Sequence, residues 1–275
     1  MRRGRVLIND SLTEFPELNE IVRDLAERAA AILGDNFVGA YLQGSFAVGD
    51  ADQFSDVDFL IPTHGLITPD QEVQLRVMHA EFPERDVSWA QHLEGSYPPQ
   101  GELRTLDAVG KTWLYVDNGA REMGWSAHDN TAVTRWSLRE RGTVLTGPEP
   151  KALVDPVSAH DLRTQALADA NRFMATLHKS AVELDNAWLQ PYIVATFCRF
   201  LHTLDCGEVT SKRQALLWAR NHLDPAWSDI IQQALCDRPD PWGRVRQPAR
   251  PGTLQETLRF AKYGESIAER YSRVR

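Results

Sequence analysis

Tyr41-Leu-Gln-Gly-Ser-Phe-Ala-Val-Gly-Asp-Ala-Asp-Gln-Phe-Ser-Asp-Val-Asp-Phe-Leu-Ile61 carries one apolar run into Gly44-Ser45 and a second run out of Asp58. Residues two apart on a strand point to the same face. Asp56 and Asp58 therefore aim two carboxylates at one point, as a hard divalent cation such as Mg²⁺ requires. Gly44 lets the backbone approach a phosphate closely, and Ser45 adds a hydroxyl and an N–H. The order strand, Gly-Ser, short link, Asp-x-Asp, strand supplies the parts for holding a Mg²⁺-nucleoside triphosphate.

Chemistry on such a ligand needs more than a metal. An attacking hydroxyl must lose its proton, and the pyrophosphate leaving group must be neutralised. Arg85 to Ala90 alternates as a third strand, with Asp86, Ser88 and Ala90 on one face. A strand adjacent to the Asp-x-Asp strand brings Asp86 toward Asp56 and Asp58, as a base, a ligand of a second metal, or both. Two cations further along suit phosphates. Arg199 lies between Phe197 and Leu201 on an otherwise apolar helix, where burial without an anion is costly, so it is expected to face a cleft. Lys212 follows the Glu208-Val-Thr-Ser loop.

Around this motif the first part of the chain alternates helix and strand. Residues 12–33 place Leu18, Ile21, Val22, Leu25, Ala29, Ile32 and Leu33 at helical spacing, with Ser11 or Thr13 as cap and Gly34 as stop. Strands are expected from Phe37 to Leu42 and from Asp58 to Ile61, with a helix opening at Pro69 between the latter and Arg85. Leu114 to Val116 is a further short strand, and His128 to Arg141 a helix. Thr146-Gly-Pro-Glu-Pro150 is the best boundary, dividing the chain into residues 1–150 and 151–275. Beyond it strand signals vanish, and helical stripes follow one another up to residue 272, which reads as a helical bundle. The fold class is α+β: a small mixed sheet with helices, then a bundle.

The 275 residues carry a net charge of −8, unevenly spread. Residues 1–150 hold 13 Lys/Arg against 24 Asp/Glu, and residues 151–275 hold 17 against 14. An acidic front half argues against general nucleic-acid binding and suits a metal site and a cationic substrate. No run approaches the length of a membrane span, and the basic start lacks an apolar signal core, so a cytoplasmic protein is expected. Cys198, Cys206 and Cys236 have no Cys-x-x-Cys spacing and read as reduced core thiols.

Gly44-Ser45 and Ser55-Asp-Val-Asp58 with the strand that follows resemble the signature of the polymerase-beta-like nucleotidyltransferases. Three further stretches narrow the likeness: Leu138 to Pro156, Cys198-Arg-Phe-Leu-His-Thr203, and Ser211-Lys-Arg-Gln-Ala-Leu-Leu-Trp-Ala219. With them the chain, over about residues 15–270, is similar to the aminoglycoside adenylyltransferases of the spectinomycin/streptomycin type. The resemblance implies an N-terminal nucleotidyltransferase domain and a helical C-terminal domain. It implies that Ser45 and Ser55 contact ATP, that Asp56, Asp58 and Asp86 surround Mg²⁺, and that Arg199 and Lys212 reach the triphosphate. Asp129, at the head of the helix beginning His128-Asp-Asn-Thr, matches a position near the nucleotide. Trp113, Glu122, Trp125 and Trp188 are candidates to line a sugar pocket. The expected reaction is AMP transfer from ATP to a small cationic acceptor such as an aminoglycoside. The alternatives are a nucleotidyltransferase acting on tRNA or protein, and an ATP-binding sensor without turnover.

Overall fold

The computed structural model describes residues 12–177 and 184–273. Contacts divide them into two units. One holds the residues up to Ala51 together with Ser55–Val157. The other holds Asp52–Phe54 together with the residues from Ser158 onward. The division falls later than the turn cluster at 146–150. After that turn, Leu153 and Val154 still pack with Tyr41, Leu60, Leu103, Trp113 and Leu138 of the first unit.

The first unit is built on six strands: β1 (Ala40–Leu42), β2 (Val57–Leu60), β3 (Leu93–Tyr97), β4 (Trp113–Val116), β5 (Met123–Ser126) and β6 (Thr143–Thr146). Their spatial order is β5-β4-β3-β2-β1-β6. β2 and β3 run parallel, and every other pair is antiparallel, so the sheet is mixed. Six helices belong to this unit: α1 (Pro16–Leu33), α2 (Gly44–Ala47), α3 (Pro69–Glu81), α4 (Gln100–Arg104), α5 (Ala132–Arg141) and α6 (Pro150–Leu153).

Alternation along the strands feeds two cores. Val57, Phe59, Leu93, Tyr97 and Leu114 face the stripe of α1 (Leu18, Ile21, Val22, Leu25) and the buried side of α3. Tyr41, Leu60 and Trp113 face the other way, toward Leu138 of α5 and Leu153 of α6. α3 starts on a capping box in which Thr68 and Gln71 satisfy each other's backbone N–H, with Pro69 in the first turn. α1 begins instead at Pro16, because Thr13 is engaged with the side chain of Asn19; Ser11 lies outside the described residues. Fully buried Arg135 ties α5 to α4 through bonds from its guanidinium to the carbonyls of Glu102, Leu103, Thr105 and Thr131. Burial lowers its pKa to about 10, and these carbonyls compensate for lost water.

One expected strand is absent. Arg85 to Ala90 is a bend followed by a 3-10 turn, and the strand beside β2 is Leu93–Tyr97. The alternation of Asp86, Ser88 and Ala90 has no ladder partner; Phe82-Pro-Glu84 before it and Ser88–His92 after it are both short 3-10 turns.

The second unit is all helix: α7 (Ala159–Leu177), α8 (Leu189–Cys206), α9 (Lys212–His222), α10 (Ser228–Asp237), α11 (Pro241–Arg244) and α12 (Thr253–Arg273). α8 is central, with α7, α9, α10 and α12 packed around it. Ile193, Val194, Phe197, Cys198, Leu201 and Leu204 of α8 are buried. Cys198 is thus a core thiol, whereas Cys206 and Cys236 are exposed, contrary to expectation; all three are free. No helix among the described residues is long and apolar enough to cross a membrane.

The core of the first unit holds a neutral imidazole. His79 of α3 is fully buried, stacks on Phe59 with ring centroids 5.6 Å apart, and lies 2.7 Å from the Tyr97 hydroxyl through Nε2. Burial, aided by Arg28, lowers its pKa from 6.5 to about 3. Below pH 6.5 the unfolded chain takes up a proton that the folded chain refuses, so stability falls as pH falls. A fully refused proton costs about 1.4 kcal/mol per pH unit. Urea unfolding at pH 7 and pH 4.5 should therefore show the wild type losing about 2 kcal/mol more than His79→Gln, which cannot titrate.

Candidate active site

β1 ends at Leu42, and the chain turns at Gln43, whose N–H bonds the carbonyl of Asp58 at 2.9 Å. That bond draws the start of α2 against the second residue of β2. Gly44 sits there with φ +60°. A Cβ on it would lie 1.7 Å from Asp58 Oδ2, so the position requires glycine both for its backbone and for the carboxylate packed on its Cα. Ser45 follows, and its Oγ is buried with no hydrogen-bond partner in the protein. Ser55, two residues before β2, is buried, and Asp56 immediately precedes the strand.

Asp58 pairs in parallel register with Glu94 of β3. Ligand oxygens of Asp56, Asp58 and Glu94 all lie within 4.8 Å of one another, and all three side chains are half-buried. The third carboxylate is therefore Glu94 and not Asp86. Asp86 is exposed in the bend before the 3-10 turn, outside the cluster. The signal for Glu94 lay in Leu93-Glu-Gly-Ser-Tyr97. Leu93, Gly95 and Tyr97 alternate with Glu94 and Ser96, and Gly95 is forced because a Cβ there would lie 2.2 Å from the Phe59 carbonyl oxygen.

The same sheet face extends the acidic site. Tyr115 of β4 pairs with Ser96, and its hydroxyl lies 2.8 Å from Glu94 Oε1 and 3.1 Å from Asp117 Oδ1. His128 Nε2 lies 3.3 Å from the same Glu94 oxygen, with its ring stacked on Tyr115 at 5.2 Å. The hydrogen bond to Glu94 raises the His128 pKa, whereas burial lowers that of His92, which bonds Asn118. Ser96 Oγ donates to Asp129 Oδ2 at 2.7 Å. Burial pushes the Asp129 carboxyl up to about 6, against the pull of the Ser96 bond. Asp129 stands on this face but does not cap α5, since Thr131 accepts from the Thr134 N–H in that role.

Arg199 and Lys212 lie in the other unit. Arg199 is half-buried on α8 and forms no ion pair among the described residues. Ser211 caps α9 by accepting from Gln214, and Lys212 opens that helix with its Nζ 5.4 Å from the Tyr192 ring centroid. Tyr192 and Arg199 are two helical turns apart on α8, so both cations share one side of the bundle. Of the aromatic candidates, Trp113 and Trp125 line one pocket of the first unit with Glu102 and Lys111. Trp113 is core and donates to Glu102, and Trp125 pairs with Leu114 and donates to Glu72 of α3. Trp188 stacks on Tyr192 in the bundle, and Glu122 is exposed.

The Gly44–Asp58 contact can be tested alone. Gly44→Ala should displace the Asp58 carboxylate and weaken Mn²⁺ binding, read by electron paramagnetic resonance, by about tenfold or more. The left-handed backbone should add a stability cost of about 1–2 kcal/mol, read by denaturant unfolding.

The comparisons with known proteins agree with this architecture. Residues 152–240 match the family model described as the aminoglycoside adenylyltransferase C-terminal domain. The spectinomycin 9-adenylyltransferase of Campylobacter jejuni is 24% identical over 254 residues, covering 87% of this chain and 93% of that protein. The crystal structure of spectinomycin adenyltransferase AAD(9) from Enterococcus faecialis, with ATP and spectinomycin, superimposes with a TM-score of 0.66. It covers 92% of this chain and 98% of that one, and at 12% identity the likeness is one of fold. The chain is thus similar in its C-terminal part to the aminoglycoside adenylyltransferase family model and along most of its length to a spectinomycin adenylyltransferase, and it shares the fold of a second one.

Proposed function

We propose that the protein transfers AMP from Mg²⁺-ATP to a hydroxyl of a small cationic acceptor of the spectinomycin class, with release of pyrophosphate. The observation that carries this is the cluster of Asp56, Asp58 and Glu94 beside the unpartnered Ser45 Oγ. Three oxygen ligands suit a hard divalent cation, and an orphaned buried hydroxyl beside a glycine cradle suits a phosphate oxygen. Asp56 and Asp58 would hold the Mg²⁺, which when bound withdraws charge from the phosphates.

The chain's own residues account for the rest. Gly44, Ser45 and Ser55 hold the phosphates. Glu94 takes the proton of the acceptor hydroxyl. That oxygen forms a bond to the α-phosphorus, the bond from the α-phosphorus to the bridging oxygen breaks, and pyrophosphate leaves with the electron pair. Asp117 and Asp129 on the same face favour a cationic acceptor. The surplus of acidic residues in 1–150 works in the same direction and against a nucleic acid.

The test is to incubate the protein with Mg²⁺-ATP and spectinomycin, streptomycin or total tRNA, then to measure pyrophosphate and product mass. An AMP-drug adduct is expected from wild type, with Asp56→Asn and Glu94→Gln slowed by about 10²–10³-fold. Labelled tRNA or protein in place of the drug would overturn the acceptor class. ATP binding with no pyrophosphate under any acceptor would overturn the enzymatic reading.

A further inference from the structure

We infer that Tyr115 is a positioning residue for Glu94: its hydroxyl, with His128 packed behind its ring, fixes the carboxylate in the orientation that proton abstraction needs. The inference rests on the proposed role of Glu94 as the proton acceptor.

Two observations carry it. Both contacts to Glu94, the Tyr115 hydroxyl at 2.8 Å and His128 Nε2 at 3.3 Å, fall on Oε1. A carboxylate oxygen of the same Glu94 lies within 4.8 Å of oxygens of Asp56 and Asp58. Tyr115 itself is immobilised: it is buried in the middle of β4, paired with Ser96, and stacked on His128.

A flexible glutamate at this place would swing between the two aspartates and solvent. Side-chain freedom about three torsions is what an oriented base must give up, and misplacement by about 1 Å costs as much as 10²-fold in rate. Tyr115 removes that freedom through a rigid donor on the neighbouring strand. It does so from the same register that aligns Asp58 with Glu94, since Ser96 pairs with Leu60 on one side and with Tyr115 on the other. Asp117 offers the hydroxyl a second acceptor at 3.1 Å, so the single proton is shared in space but goes to the closer Glu94.

The test uses the full chain with Tyr115→Phe, which deletes one atom and keeps the ring against His128. Turnover of AMP onto spectinomycin should fall by about tenfold. KM for ATP, Mg²⁺-ATP affinity measured calorimetrically without acceptor, and the thermal midpoint should match wild type. In a Glu94→Asp background, whose carboxylate no longer reaches Tyr115, the same change should cost nothing. His128→Leu, on an exposed side chain, should lower turnover with the same unchanged nucleotide affinity. It gives a reading even where Tyr115→Phe is poorly folded. Wild-type turnover in both variants, or an equal loss in the Glu94→Asp background, would overturn the inference. Glu94→Gln at wild-type turnover would instead overturn the role of Glu94, which separates the two failures.

Discussion

Parallel pairing of β2 with β3 is the constraint from which the site follows. It sets Val57 on Leu93, Asp58 on Glu94, Phe59 on Gly95 and Leu60 on Ser96. Because side chains alternate, a slip of one residue would send Glu94 into the α1/α3 core and bring an apolar residue beside Asp58. Gly95 guards against that slip. Phe59 leans so closely on its Cα that no residue with a side chain fits there, so neither Glu94 nor Ser96 can take its place. The packing of one sheet face thereby fixes the chemistry of the other.

A second close approach completes the geometry. Gly44 accepts the Asp58 carboxylate against its Cα, at a backbone angle that residues with side chains avoid. The short link between β1 and β2 thus sets the backbone of Gly44 directly against one carboxylate of the acidic cluster. Ser45 Oγ, buried and unpaired, is the residual cost of that arrangement in the free protein. Buried hydroxyls without partners are rare in proteins, so one next in sequence to the glycine packed on Asp58 points to a ligand that completes it.

How far the sequence could be read depended on how local each signal was. Gly44, Ser45, Asp56 and Asp58 lie within one hairpin-like stretch, and their relation follows from strand periodicity alone. The bundle was equally legible, because its helices carry long stripes such as Ile193, Phe197, Leu201 and Leu204. Glu94 was missed because β3 is short and contains Gly95, which reads as a strand breaker until its contact with Phe59 is known. Arg85 to Ala90 alternates better, yet it sits between two 3-10 turns with no strand to pair with. Parallel partners are far apart along the chain, and no local pattern says which of two candidate segments will pair. β5 and β6 are antiparallel strands of only four residues each, too short to show a period of their own.

The acidic face also explains why its polar partners are so closely bound to one another. Asp56, Asp58 and Glu94 within 4.8 Å repel one another, and Asp117 and Asp129 add to that field. Each outer member is tied to a neutral or cationic group: Asp129 to Ser96, Glu94 to Tyr115 and His128, Asp117 to Tyr115. A divalent ion arriving with a nucleotide would change the sign of that local field. On the proposed reading Glu94, the carboxylate held by Tyr115 and His128, would face the acceptor hydroxyl while the two aspartates would face the metal. This division of labour needs no difference in residue type among the three, only the difference in what β4 and β3 set beside them.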